Sequence, residues 1–214
     1  MVEPRMPESA ATVYNDLGRD YEDAFGHQPE VGATLEHLLT LLPAEANVLD
    51  LGSGTGWPVA ATIADAGHRL TGYDVSDTMV RLARDRVPAA SFERADMRLL
   101  DFEPGRWDAV LTFFSMLQIP CQEQDTMLTR LVSWLAPGGY LVMATVPTET
   151  DHQAGEWMGH WVQTYSFPRE LLRNRLKKAD LHIVREKLVQ YVPETDQAGP
   201  EPQIYFTARK PPVA

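Results

Sequence analysis

The chain has 214 residues, of which 44% are hydrophobic and 23% are charged. These proportions are typical of a globular protein and argue against a disordered, collagen-like or coiled-coil chain, and the length favours one domain over residues 1–214. Thirty acidic and nineteen basic residues give a formal charge of −11. Because this charge repels phosphate backbones, we expect no nucleic acid as a partner.

Cysteine content and hydropathy bear on the compartment in which the protein works. Cys121 is the single cysteine, so neither an intramolecular disulfide nor a zinc-binding cysteine cluster is expected. No stretch approaches 18 apolar residues, and residues 1–9 lack the apolar run of a secretion signal. We therefore expect a cytoplasmic protein that does not act at a membrane.

The first predicted element is a helix near the N-terminus. Tyr14, Leu17, Tyr21 and Phe25 follow one another at steps of three and four residues, which places them on one face of a helix. Such an aromatic face must pack on something apolar. We interpret residues 10–27 as an N-terminal lid.

Strands and helices alternate after this segment, which predicts an α/β protein with a parallel sheet covered by helices. The turn Pro137-Gly138-Gly139 precedes an apolar strand over residues 140–146. The runs 182–192 and 203–209 are rich in β-formers and predict an antiparallel hairpin at the end of the sheet. The other predicted strands span 48–51, 70–74, 91–94 and 107–114, and predicted helices span 59–66, the segment after the N-cap Ser76, the segment around 127–135, and 167–178.

A glycine loop, Asp50-Leu51-Gly52-Ser53-Gly54-Thr55-Gly56, lies between the first of these strands and the next helix. Glycines let the backbone approach a ligand, and a helix N-terminus presents unpaired N–H groups. Asp74 ends the second strand, where its carboxylate could accept hydrogen bonds from both hydroxyls of a ribose. The pattern therefore predicts a cofactor that contains adenosine.

Two residues of this region discriminate between adenosine cofactors. Trp57 stands where the dinucleotide fingerprint requires its third glycine, which disfavours NAD. Asp50 would repel a diphosphate, but it suits a cofactor that carries ammonium and sulfonium groups. Together they favour S-adenosylmethionine.

Five segments of the chain stand in a particular order and spacing. They are VLDLGSGTGWP (48–58), LTGYDVSDTMVRLAR (70–84), RADM (94–97), WDAVLTFF (107–114) and LAPGGYLVM (135–143). In both respects they resemble the small class I S-adenosylmethionine-dependent methyltransferases, and the similarity extends strongly over about residues 12–146. The resemblance implies an α/β fold, a Rossmann-like three-layer sandwich with a seven-stranded, mostly parallel sheet and an antiparallel C-terminal strand.

The resemblance also implies how the cofactor would be held. Residues Gly52 to Gly56 would wrap its amino-acid end, and Asp74 would bind the ribose. Val75 and Met97 would lie against the two faces of adenine, and Asp96 would accept a hydrogen bond from the adenine amine.

Phe113 would form the floor of this site. Each residue also has a purely structural interpretation: Asp74 could cap the following helix, Asp96 could be a surface acid, and Tyr14 and Tyr21 could simply pack the first helix onto the core. The joint spacing favours the site. The predicted cofactor-binding residues are Tyr14, Tyr21, Asp50, Gly52, Ser53, Gly54, Asp74, Val75, Met79, Asp96, Met97 and Phe113.

Residues 148–167 contain two histidines, two tryptophans and two glycines without a regular period, and we expect them to line the substrate site. His160, flanked by Trp157 and Trp161, is the predicted general base, because an imidazole accepts a proton near neutral pH. An ordinary structural histidine is the alternative. Tyr14 is the second predicted catalytic residue. Trp157, Trp161 and Tyr165 could wall an apolar or aromatic substrate.

No metal site is predicted. His152, Glu156 and His160 are four residues apart and would share a helix face, but Gly155 and Gly159 argue against a helix there. The sequence therefore predicts an S-adenosylmethionine-dependent methyltransferase that acts on a small molecule. Two alternatives stay open: a protein of this fold that binds the cofactor without methyl transfer, and an NAD-type oxidoreductase.

Overall fold

A computed structural model of the protein describes residues 6–213, so part of the predicted 1–9 stretch and of the 1–214 domain lies outside it. Seven strands form one sheet in the order β3-β2-β1-β4-β5-β9-β8, and β6 pairs with β7 in a separate hairpin. The strands are β1 (Asn47–Leu51), β2 (Arg69–Asp74), β3 (Ser91–Arg94), β4 (Trp107–Phe113), β5 (Leu135–Thr145), β6 (His152–Trp157), β7 (His160–Tyr165), β8 (His182–Tyr191) and β9 (Glu201–Arg209).

The helices alternate with the strands of the large sheet, and two short 3₁₀ turns lie at Met97–Leu99 and Ser115–Gln118. Between residues 6 and 213 no helix is long and apolar enough to cross a membrane. The helices are α1 (Ala10–Leu17), α2 (Arg19–Phe25), α3 (Pro29–Leu39), α4 (Val59–Asp65), α5 (Asp77–Arg86), α6 (Cys121–Trp134) and α7 (Arg169–Lys178).

The large sheet confirms the predicted fold class. Strands β1 to β5 pair in parallel, whereas β9 runs antiparallel to both β5 and β8 and lies between them. The carboxyl ends of β1 and β2 reach the same edge of the sheet, because Leu51 pairs with Tyr73. Ligands of open α/β sheets bind at this edge, and the glycine loop begins there.

Successive side chains of a strand point to opposite faces, and this alternation builds two cores. Val48 of β1 packs in a cluster with side chains from α3, α4 and α5. Its neighbour Leu49 packs in a second cluster with side chains from α6 and α7. The sheet is therefore the middle layer of three.

The N-terminal lid differs from the single helix that the sequence predicts. The chain breaks at Gly18, whose φ is +50° and ψ is −118°, and a new helix begins at Arg19. Asn15 fixes the first helix, because its Oδ1 accepts hydrogen bonds from Ser76 Oγ (2.8 Å) and from Thr78 N–H (3.2 Å). The rings of Tyr14, Tyr21 and Phe25 nevertheless stay in contact across the break.

Helix α3 and the β6–β7 hairpin were not predicted from the sequence, and one predicted turn is absent. Helix α3 fills the gap between the lid and β1, and the segment after β5 forms the β6–β7 hairpin. The predicted turn at Pro137-Gly138-Gly139 lies within β5, because Trp107 already pairs with Leu135 before the register shifts. A bulge in the strand therefore replaces a separate turn.

Candidate functional site

The glycine loop is bound to the end of β2 by its own backbone. The N–H groups of Gly52 and Ser53 both donate to the carbonyl of Tyr73, at 2.7 and 3.0 Å. Asp74 then accepts the N–H of Gly54 on Oδ2 and the N–H of Ser76 on Oδ1, each at 2.9 Å. The loop is thereby held in one conformation before any ligand binds.

Glycine is favoured at two positions of the loop for different physical reasons. Gly52 has φ +74°, and a Cβ built there would lie 2.3 Å from Ser115 Cβ, so no side chain fits. Gly54 has φ +53°, and a Cβ there would meet no protein atom within 4 Å, although the residue lines a cavity. Gly54 therefore leaves its backbone open to a bound molecule.

The first cavity, which we call the loop cavity, has a volume of about 120 Å³. It lies at the carboxyl edge of the sheet, where the glycine loop, the end of β2 and the end of β4 meet. The structure brings most of the predicted cofactor-binding residues to its wall: Tyr14, Tyr21, Gly52, Gly54, Asp74, Val75, Asp96, Met97 and Phe113.

Asp96 lines the loop cavity, but its carboxylate is already engaged by a neighbour. Arg98 donates to both oxygens, with its closest contact at 2.7 Å from Nη2 to Oδ2, and the backbone N–H of Arg98 donates to Oδ1. This pairing lowers the pKa of Asp96, so the carboxylate is ionised at neutral pH. Three N–H groups of Arg98 donate to this carboxylate, with Nε shared between the two oxygens, so about one of its four acceptor positions remains for a further hydrogen bond.

A depression next to the loop cavity contains buried polar atoms without partners. Asp50 and Ser53 line it together with Gly52 and Gly54. Asp50 Oδ2 and Ser53 Oγ are buried and, within residues 6–213, accept or donate no hydrogen bond. Since orphaned buried polar atoms are costly, these two atoms fit a ligand that carries donors such as an ammonium group.

Burial and the nearby charge of Asp74 raise the pKa of Asp50 to about 7. Burial also raises the pKa of Asp74, although the N–H groups of Ser76 and Gly54 oppose this shift. Asp50 and Asp74 are therefore neighbouring acids whose negative charges are disfavoured by burial. Together they make the loop electrostatically suited to a cation and unsuited to a diphosphate.

Two predicted site residues lie elsewhere. Met79 is 1% exposed and sits in the first turn of α5, where its N–H donates to the N-cap oxygen of Ser76, so it packs in the interior and lines neither cavity. His160 begins β7, and its Nδ1 lies 2.9 Å from Glu8 Oε2. It lines a separate surface depression with Asp16 and Glu194. The prediction of a general base at His160 is thus not supported by its position.

Residues 10–27, the predicted lid, contribute to an aromatic cluster at the edge of the sheet. The rings of Tyr14 and Tyr21 meet edge to face at 5.3 Å, and both lie near Trp157 of the hairpin, at 6.3 and 6.2 Å. Burial raises the pKa of both tyrosines well above the usual range, with smaller contributions from Asp74 and Glu201. Both hydroxyls therefore stay protonated at neutral pH.

A second cavity, which we call the aromatic cavity, has a volume of about 250 Å³ and lies between the lid and the β6–β7 hairpin. It shares four wall residues with the loop cavity. Trp157 lines it as predicted, but Trp161 and Tyr165 do not, since Val162 and Thr164 occupy the inward positions of β7. The shared residues are Tyr14, Tyr21, Phe114 and Gln118.

Sequence reasoning missed the polar side of this cavity. Gln28, Glu201 and Gln203 line it, and the last two come from β9. The signal was present, because Glu201, Gln203 and Tyr205 alternate at the start of a strand whose residues 203–208 are otherwise apolar or small and fully buried. A polar residue that recurs on one face of a buried strand indicates a site.

The described residues contain no group of three or more His, Cys, Asp or Glu that could hold a metal ion. The site is therefore built from a glycine loop, carboxylates, aromatic rings and amides.

Comparison with known proteins agrees with this geometry. The family described as methyltransferase domain matches residues 48–139, which contain the glycine loop, Asp74 and Asp96. Trans-aconitate 2-methyltransferase of Paracidovorax citrulli is 36% identical over 103 residues, which are 48% of this chain and 39% of that protein. Carboxy-S-adenosyl-L-methionine synthase of Chromohalobacter salexigens is 30% identical over 125 residues, 53% of this chain and 44% of that protein. The chain thus matches less than half the length of either relative.

A solved structure extends the similarity over nearly the whole chain. This structure is the 1,6-didemethyltoxoflavin-N1-methyltransferase of Burkholderia thailandensis with bound 1,6-didemethyltoxoflavin and S-adenosylhomocysteine. The superposition has a TM-score of 0.70 and includes 97% of the residues of this chain and 93% of the residues of that protein. At 22% identity, this likeness shows the fold. Residues 48–139, which include the glycine loop at the carboxyl edge of the sheet, thus match the methyltransferase-domain family, and the chain as a whole has the fold of class I S-adenosylmethionine-dependent methyltransferases.

Proposed function

We propose that this protein transfers a methyl group from S-adenosylmethionine to a small molecule with an apolar or aromatic body. The observation that carries the proposal is the common wall of the two cavities. Tyr14, Tyr21, Phe114 and Gln118 border both, so a group held in the loop cavity lies next to a molecule held in the aromatic cavity. Two adjoining sites of this kind suit transfer between two bound molecules.

The loop cavity would hold the cofactor along its length. Asp50 and Ser53 would receive the amino-acid end, and Asp74 would use its free lone pairs for the ribose hydroxyls. Val75 and Met97 would contact adenine. Asp96, Gly52, Gly54 and Phe113 complete the proposed site, with Tyr14 and Tyr21 covering it.

When bound, S-adenosylmethionine supplies an electrophilic methyl group. The chain's own contribution would be to position the acceptor and to exclude water, with residues 10–27 as the lid and residues 148–167 as the substrate-lining segment. Tyr14 remains protonated at neutral pH, so it would donate a hydrogen bond at the common wall and would not act as a base.

The proposal is tested first by melting shifts with S-adenosylmethionine, S-adenosylhomocysteine, NAD and NADP, because a ligand that prefers the folded state raises its stability. We expect shifts with the first two only. Small molecules are then screened with methyl-labelled cofactor, and labelled product must form in equal amount to S-adenosylhomocysteine. A shift with NAD or NADP alone would overturn the proposal.

A second candidate is a reaction that uses the cofactor without methyl transfer. It is favoured by the 30% identity to a protein named carboxy-S-adenosyl-L-methionine synthase. The same label separates the two functions: the second candidate predicts cofactor binding with no label transferred to an acceptor, because the labelled carbon stays on the cofactor, and with no stoichiometric S-adenosylhomocysteine.

A further inference from the structure

Glu201 presents a carboxylate to the aromatic cavity from the first position of β9. Its Oε1 accepts a hydrogen bond of 2.9 Å from Gln203 Nε2. In the described part of the chain, no donor lies against Oε2. One oxygen of this carboxylate is therefore held by the protein, and the other oxygen is available to a ligand.

A chain of buried side chains supports Glu201 from behind. Tyr205 Oη lies 2.6 Å from Gln203 Oε1 and 3.1 Å from Gln28 Oε1. A phenol carries one proton and can donate to only one of these oxygens, so a half-turn of the Gln28 amide makes its Nε2 the donor to Tyr205. Every bond then points the same way, from Gln28 through Tyr205 and Gln203 to Glu201. Burial raises the pKa of Glu201 above its usual value, and the hydrogen bond from Gln203 opposes this shift.

Gln28 presents a further polar atom to the cavity. The residue is 8% exposed, it lines the aromatic cavity, and only one atom of its amide contacts a protein partner among the residues that the structure describes. The other amide atom is not among the buried side-chain atoms that lack a partner, so it is accessible from the cavity. It is thus suited to a polar group of a molecule bound there.

The cavity wall carries one carboxylate and no described positive charge. Glu201 presents its carboxylate to the cavity, whereas the side chain of Glu156 lies with Trp161 on the outward, exposed face of the hairpin, and the described lining residues include no lysine, arginine or histidine. An anionic acceptor would meet the charge of Glu201 without a counter-charge, which disfavours it. The rings of Tyr14, Tyr21 and Trp157 also line the cavity, and their π faces attract cations.

We infer that the methyl acceptor carries a cationic amino group on its apolar or aromatic body, and that Glu201 binds this group. The inference rests on the proposed function and names its class of substrate. Glu201 acts here in recognition: its free Oε2 receives the ammonium while the aromatic rings enclose the apolar body. Acceptors with carboxylates in place of the amine are excluded by the same charge.

The test uses matched probes that differ only in charge. Tryptamine, tryptophol and indole-3-acetate, and the phenyl series phenethylamine, phenylethanol and phenylacetate, are titrated near pH 8 into the protein saturated with S-adenosylhomocysteine. At this pH the amines are cationic and the acids anionic. We expect at least one amine to bind about tenfold or more tightly than its own alcohol and acid.

Variants assign that preference to one residue. Glu201→Gln should reduce amine affinity to that of the alcohol and leave the affinity for S-adenosylhomocysteine unchanged, because Glu201 does not line the loop cavity. Glu194→Gln, which removes an exposed acid outside the aromatic cavity, should leave the preference intact. Binding of S-adenosylhomocysteine also reports that each variant is folded.

The outcomes separate the two proposals. If S-adenosylhomocysteine does not bind the wild-type protein, the proposed function fails. If it binds but no amine exceeds its alcohol and acid, or no probe binds, the substrate class is overturned and the proposed function stands. The comparison of probes uses the wild-type protein, so it remains a valid test even if a variant does not fold.

Discussion

Asp74 Oδ2 accepts a hydrogen bond of 2.9 Å from the backbone N–H of Gly54, and this contact ties the end of β2 to the glycine loop. The other oxygen, Oδ1, accepts the N–H of Ser76, whose own side chain caps α5. Asp74 therefore orders the loop and the start of the helix at once. The structural and the ligand-binding interpretations of this residue are compatible, because each oxygen retains a lone pair that faces the loop cavity.

Replacement of Asp74 tests this double role. Asp74→Ala removes the acceptor for Gly54 and the proposed charge-assisted bonds to the ribose, so we expect cofactor binding to weaken by about 1.5–3 kcal/mol. Calorimetric titration with S-adenosylhomocysteine measures the change. Asp77→Ala is the matched control, because Asp77 is an exposed acid in the first turn of α5 that pairs with Arg94 outside the cavity. Unchanged affinity in Asp74→Ala would refute the assignment.

The site could be predicted from the sequence where it depends on short-range order. The loop between Asp50 and Gly56 follows a buried strand directly, and Asp74 ends the next strand, so parallel pairing alone brings them to one edge. The fold followed from the same regular alternation of strands and helices. Helix α3 also carries a local signal that the sequence prediction did not use, because its four buried side chains recur at i, i+3, i+4 and i+7 and a proline stands at its first position.

The rest of the site depends on contacts between distant parts of the chain. His160 shares the face of Val162 and Thr164, but it lies at the turn of the hairpin, where it lines a separate depression and its ring pairs with Glu8, 152 residues earlier. Gln28 and Tyr205 meet across 177 residues. No local periodicity encodes such contacts, so the alternation of Glu201, Gln203 and Tyr205 could indicate a polar face of β9 but not the residues that this face meets.

Alanine substitutions at three glycines distinguish the effects of backbone strain, steric clash and lost ligand contact. Gly67→Ala places a Cβ at φ +85° with no atom within 4 Å, so it should cost only the strain of a left-handed residue, about 1–2 kcal/mol. Gly52→Ala adds the clash with Ser115 and should cost roughly 1–3 kcal/mol more. Denaturant unfolding compares the variants.

Gly54→Ala should resemble Gly67→Ala in stability, because its Cβ also meets no protein atom. It should nevertheless bind S-adenosylhomocysteine more weakly, since that Cβ projects where the proposed cofactor lies. Normal cofactor affinity in Gly54→Ala would contradict the placement of the cofactor against this part of the loop.

Asp50 makes cofactor binding depend on pH. Its pKa is about 7 in the folded chain, and an ammonium group binds the ionised form. The affinity for S-adenosylhomocysteine should therefore rise with pH up to about 7 and fall by about tenfold for each pH unit below it. Asp50→Asn should bind weakly with a flat profile. An equally steep profile in Asp50→Asn would assign the titration to another group, such as Asp74.

The same pKa has the opposite effect on stability without ligand. Because the pKa of Asp50 is higher in the folded chain than its usual value of 3.8, the folded state binds more protons between about pH 4 and 7. The contribution of this group to stability is thus greatest below this window and declines as the pH rises through it. Asp50→Asn should gain stability relative to wild type from pH 5 to pH 8, measured by thermal unfolding without cofactor.

His160→Gln tests whether this histidine acts in catalysis. Its ring pairs with Glu8 and lines neither cavity, so the substitution should leave cofactor affinity unchanged and alter the methyl-transfer rate less than about twofold with the acceptor found in the label screen. A small loss of stability is expected from the lost contact with Glu8, about 0.2–1 kcal/mol. Glu8→Gln should cause the same loss, because it breaks the same pair. A large drop in rate in His160→Gln, with Glu8→Gln fully active, would restore His160 as a base and would require the hairpin to rearrange when substrate binds.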